Sequence, residues 1–87
     1  MGMSVREIVK ATMVERQMTY RAFAEALSEK TGMNMSHVTV LNWAQGQTVP
    51  QTDVMLKIKS AHPGDWRGEF AEKVLLEKFG DVFQTTS

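Results

Sequence analysis

An all-α domain of five helices is the fold class that the sequence predicts, and three observations predict it. Apolar residues recur at three- and four-residue spacing, and no segment shows the period-two alternation of a strand. Start and stop residues bracket five such segments. The chain has 87 residues, 43% of them apolar, enough for one domain with one modest core and unlike a disordered chain.

The first helix is predicted from Val5 to Arg16, behind loose residues 1–3. Ser4 and Glu7 have the spacing of a capping box, and Ile8, Val9, Thr12 and Met13 form its inner stripe. Thr19 caps a second helix from Tyr20 to about Lys30, with Phe23, Ala24 and Leu27 inward and Gly32 just past its end. Ser36 caps a third, closed by Gly46; Asn34 competes as its cap. Gln51 or Thr52 starts a fourth, with Val54, Met55, Ile58 and Ala61 inward and Lys57 and Lys59 outward. His62-Pro63-Gly64-Asp65 breaks the chain. Asp65 then caps a fifth helix, Trp66 to Phe79, stopped by Gly80. Its apolar rows, Trp66, Phe70, Val74 and Ala71, Leu75, Phe79, are broad enough to meet a second chain. Residues 81–87 form a tail in which Val82 and Phe83 dock and Gln84 to Ser87 fray. The domain thus reads as a core over 4–61 and a C-terminal helix over 65–80.

Composition removes several function classes. There is no cysteine, so no disulfide framework and no thiolate metal site. No apolar run reaches the ~18–20 residues of a membrane span, and no signal-peptide core is present; a cytoplasmic location follows as the default. His37 and His62 lack metal-ligand spacing, and no nucleophile motif, paired catalytic carboxylates or phosphate-cradling glycine loop occurs. No metal, cofactor, effector pocket or enzyme is expected. The formal net charge is zero, which argues against strong non-specific nucleic-acid binding. Its distribution is uneven. Residues 1–61 hold seven Lys/Arg and five Asp/Glu, residues 62–87 three and five, and no charge stands between Lys30 and Asp53.

That uncharged window contains the third helix, Ser36 to Gly46, and the order helix, break, helix ending there is that of a helix-turn-helix. Thr19-Tyr20-Arg21-Ala22-Phe23-Ala24-Glu25-Ala26-Leu27 resembles the second helix of the lambda-repressor/Cro-like (XRE-type) helix-turn-helix family, with its hydroxyl cap and apolar-Ala pair. Ser36 to Gly46 resembles that family's recognition helix through Thr39-Val40, Asn42-Trp43 and Gly46. Pro50 and Met55 to Ile58 resemble the loop and helix that follow. Eight residues separate Leu27 from Ser36, against the ~3–4 of a usual turn. Ser28-Glu29-Lys30 is predicted to extend the second helix across part of that interval.

The resemblance implies a lambda-repressor-like fold and a sequence-specific regulator of transcription, a small repressor that binds double-stranded DNA; the small interface of so short a domain adds the expectation of a homodimer. It assigns base reading to Ser36, His37, Val38, Leu41 and Asn42. Phosphate contact falls to Thr19, Tyr20, Arg21, Gln45, Gln47 and Thr48. Because most of those contacts are neutral, few counterions are released and the salt dependence is shallow. Trp66, Phe70, Val74 and Phe79 are the candidate dimer surface.

Blander roles stand beside these. Trp43 shares a face with Val40, which favours core over base stacking. Val38 and Leu41 can be packing residues, the methionines gap-filling core, and Glu69, Glu72 and Glu77 a solvated face. The competing function is a protein-interaction module, antirepressor- or antitoxin-like, on the same fold without DNA binding; zero net charge and the apolar Val38 and Leu41 favour it.

Overall fold

The structure, a computed structural model, describes residues 4–85, with side chains through Phe79. Residues 1–3, predicted loose, and the last two of the tail lie outside the described residues. Five helices follow in order: α1 (Val5–Arg16), α2 (Tyr20–Ser28), α3 (His37–Gln45), α4 (Thr52–Ala61) and α5 (Trp66–Thr85). No strand occurs among the described residues. The caps explain most of the boundaries. Ser4 and Glu7 form the capping box, Thr19 Oγ1 accepts the Ala22 N–H at 3.1 Å, and Gly46 closes α3 in the left-handed region at φ 77°. Gln51 precedes α4 without a side-chain cap. Gln17 ends α1 at φ 55°, a left-handed stop carried by a residue with no preference for it.

One core draws on all five helices. Ile8, Val9 and Met13 meet Phe23, Ala24 and Leu27, then Val40, Trp43 and Ala44, Met55 and Ile58, and Phe70, Ala71 and Val74. α2 packs on α3, α4 on α5, and α1 on both α3 and α5. Phe23 is central, edge-on to Phe70 at 5.2 Å between ring centroids and tilted against Trp66 at 5.8 Å. Of the methionines, Met13 and Met55 are buried and Met18, Met33 and Met35 pack partly against the core.

Three expectations need correction. α2 stops at Ser28 and not near Lys30: Glu29 is extended and Lys30 sits at φ 63°. Ser28 organises the stop, since its hydroxyl donates to the Ala24 carbonyl and accepts the Met35 N–H, while its carbonyl accepts from Thr31. α5 continues through Gly80 to Thr85. A single glycine costs a helix only about 1 kcal/mol, and Gln84 and Thr85 of the predicted frayed tail belong to the helix; the side chains of Val82 and Phe83 lie outside the described ones. Finally, Phe70 and Val74 are fully buried against α1, α2 and α4. They complete the monomer's core and have no surface left for a second chain. Trp66 is half-buried on Phe23, with the Arg16 guanidinium 4.9 Å and that of Arg67 5.8 Å from its ring centre. Phe79 alone of the four stays exposed, joined by Leu76.

Candidate functional site

α3 is nine residues long, too short to persist alone. Three devices hold it. Val40, Trp43 and Ala44 are buried, Trp43 at 4% exposure, so the indole is core and does not present a stacking surface. Ser36 Oγ accepts the Thr39 N–H at 3.4 Å, which selects Ser36 over Asn34 as the cap. At the other end, the Gly46 N–H donates to the Trp43 carbonyl and the Gln47 N–H to that of Asn42, at 3.1 and 2.9 Å.

The anchoring leaves a mixed outer face. Ser36, His37 and Val38 are exposed at its N-terminal end, Val38 by 47%, and Gln45 is exposed at its C-terminal end. Leu41 and Asn42 are half-buried. Asn42 and Thr39 line an open groove of about 440 Å³ between α3, the 33–35 connection and the 48–54 segment, walled by Met33, Met35, Val49 and Val54. No charged side chain lines it. Asn42 therefore offers its amide from the groove's edge, whereas His37 and Val38 stand clear.

The residues assigned to phosphate fall into two groups. Thr19, Tyr20 and Arg21 are exposed at the start of α2. Thr19 Oγ1 takes the Ala22 N–H, so the N–H groups of Tyr20 and Arg21 remain directed outward at the positive end of the helix dipole. Gln45, Gln47 and Thr48 are exposed after α3, and the Gln47 amide donates to Gln45 Oε1 at 3.2 Å. α2 packs on α3, so the first group lies on the helix that adjoins α3. Trp66, Phe70 and Val74 belong to the core side of the molecule.

Sequence reasoning missed Arg6. Its side chain lies across Gly46, so close that a Cβ there would stand 3.2 Å from Arg6 Cδ and 3.5 Å from Nη1. They stand forty positions apart in the chain, and the packing of α1 on α3 brings them together; no local motif carries that signal. It also missed His62, which reads as part of a breaker yet is 3% exposed. Its Nδ1 lies 3.7 Å from Asp65 Oδ2, and its Nε2 has no hydrogen-bond partner among the described residues.

Charge elsewhere is local and structural. Arg67 binds Asp65 and Glu29, both at 2.6 Å, and the Ala26 carbonyl at 3.2 Å. The hydrogen bond from Arg67 holds the Asp65 carboxyl below its ordinary value, overcoming partial desolvation. Desolvation works against the Arg67 charge, but Glu29 and Asp65 outweigh it and raise its affinity for the proton. No cluster of His, Cys, Asp and Glu able to hold a metal ion is found among the described residues, and none of their helices is long and apolar enough to cross a membrane.

No protein-family model, curated protein or solved structure matches the chain.

Proposed function

We propose that the protein is a sequence-specific regulator of transcription, a small cytoplasmic repressor in which α2 and α3 act as a lambda-repressor-like helix-turn-helix and α3 enters the major groove of double-stranded DNA. The observation that carries this reading is the division of α3 by face. Val40, Trp43 and Ala44 lock it to the core, while Ser36, His37 and Val38 stand exposed and Leu41 and Asn42 half-buried, without one charged group among the five. A short, doubly capped helix fits the groove, and its hydroxyl, imidazole, amide and methyl groups match base edges: Asn42 suits adenine, and Val38 or Leu41 a thymine methyl. The exposed start of α2 and the 45–48 segment then meet phosphates on either side.

A homodimer on a two-fold operator fits so small a domain, with half-sites about 34–36 Å apart. Phe79 of the predicted set remains available as its contact residue, with Leu76 beside it in place of the buried Phe70 and Val74.

Selection of sites from random duplex DNA tests the proposal. The unmodified protein should enrich one sequence. Asn42→Ala and His37→Ala should each relax preference at particular positions, by about 1–3 kcal/mol where a bidentate contact is lost. The second reading, a protein-interaction module, is favoured by one observation: Val38 and Val49 are 47% and 57% exposed near α3. Absence of enrichment by the unmodified protein would select it.

A further inference from the structure

Two thioethers hold the connection from α2 to α3 against the rest of the molecule. Among the described residues, the hydrogen bonds of residues 30–35 run only to Ser28 and Thr31. Thr31 bonds the Ser28 carbonyl, and the Met33 N–H donates to Thr31 Oγ1 and the Met35 N–H to Ser28 Oγ, both at 3.1 Å. Met33 and Met35 supply the packing on the core. Both are half-buried, and both wall the open groove beside Asn42, from which a small solute reaches them.

We propose that Met33 and Met35 form an oxidation-sensitive switch, in which a peroxide converts their thioethers to sulfoxides and thereby releases the connection and the start of α3. The chemistry is a two-electron oxygen transfer. A sulfur lone pair attacks one oxygen of hydrogen peroxide; an S–O bond forms and the O–O bond breaks. The departing hydroxide takes the proton of the transferred oxygen and leaves as water. Sulfur is oxidised and the peroxide is reduced. A thiol-dependent sulfoxide reductase reverses the change.

Three features give this pair its effect. First, the chain has no cysteine, so no thiol of its own intercepts the oxidant. Second, a sulfoxide kept against the core is a polar group without a partner. Turned into the groove, it meets the hydroxyls and amide of Thr39, Thr48 and Asn42. Oxidation therefore favours withdrawal of the side chain from the core. Third, Met35 directly precedes Ser36, the cap of α3, and its N–H is the bond that ties this point to α2. Other methionines lack the combination: Met13 and Met55 are buried, and Met18 follows the end of α1. The competing explanation is that Met33 and Met35 only fill space, in which case their oxidation leaves the connection in place.

The protein is treated stepwise with hydrogen peroxide. Sulfoxide at each methionine is followed by peptide mapping, together with the melting temperature and hydrogen exchange at the Met35 amide. Met33 and Met35 should oxidise well before Met55. The melting temperature should then fall by about 4–8 °C or more, the shift that one unpaired polar group produces in a domain of this size. The Met35 amide should lose protection, and methionine sulfoxide reductases A and B together should restore both readouts. Met33→Leu with Met35→Leu, which nearly keeps side-chain volume, should hold both readouts through the same treatment, and Met18→Leu should not prevent the loss. Oxidation of Met33 and Met35 no faster than that of Met55 overturns the proposal. So do an unchanged melting temperature and Met35 protection once both are sulfoxides. If the leucine variant does not fold, the time course in the unmodified protein decides: a loss that follows sulfoxide at Met18, and not at Met33 and Met35, overturns it. Each readout reports the fold and none reports DNA binding, so the switch stands or falls apart from the functional reading above.

Discussion

Gly46 answers to two requirements at one position. Its φ of 77° closes α3, and its missing side chain admits Arg6. The first requirement was legible in the chain, because glycine after a periodic segment is a stop signal. The second was not, because it depends on a residue forty positions away. Gly46→Ala should lose about 1–2 kcal/mol from the left-handed backbone, read as a lower urea midpoint at unchanged slope. Gly68 makes the same point inside a helix. A Cβ there would collide with the His62 carbonyl, so the glycine lets the end of α4 close onto α5. Nothing in the pattern around Gly68 marks it as other than a weak helix residue. Asn42 was named from its position, and its half-buried place at a groove edge comes from the 33–35 and 48–54 segments around it.

At the scale of elements, the helices were legible because each carries an inner stripe of adequate length and four of the five carry a capping residue at the start. Their ends were less so. The close of α2 depends on Ser28 answering Met35 and on Arg67, from the first turn of α5, reaching the Ala26 carbonyl and Glu29. That junction has a pH signature. The folded Asp65 carboxyl lies below its ordinary value of 3.8, chiefly through its hydrogen bond with Arg67. Glu7 lies below 4.5, chiefly through its hydrogen bond with the Ser4 backbone. Each carboxyl thus binds fewer protons folded than unfolded in the window below its ordinary value. Its contribution is present above that value and is lost as pH falls through the folded one. Acid titration followed by circular dichroism should show stability declining as pH drops below about 4. Asp65→Asn should be less stable at neutral pH and should decline less steeply.

At the scale of the whole molecule, the question is which apolar surface the fold keeps for itself. The rows of the fifth helix read as too broad for a domain of this size, and Phe70 and Val74 were assigned to a partner chain. The fold uses them: Phe70 packs edge-on to Phe23, and Val74 is fully buried. Leu76 and Phe79, 55% and 37% exposed, are what α5 leaves outside. Leu76→Ser with Phe79→Ser should therefore lower the dimer fraction in analytical ultracentrifugation while the melting temperature holds. Phe70→Ala should cost about 3–5 kcal/mol of monomer stability. A strict monomer on DNA before any substitution would end the dimer proposal.

The amino-acid sequence by itself determined five helices, four of their starts, the caps at Ser4, Thr19, Ser36 and Gly46, and the anchoring of the third helix through Val40 and Trp43. These depend on neighbours within a turn or two, where side-chain chemistry and helical period act directly. The tertiary structure decided the rest: the end of α2, the burial of Phe70, Val74 and His62, the groove beside Asn42, and the meeting of Arg6 with Gly46. Each is a contact between helices distant in the chain. Such contacts follow from how five amphipathic faces divide one small core, and no local pattern encodes that division.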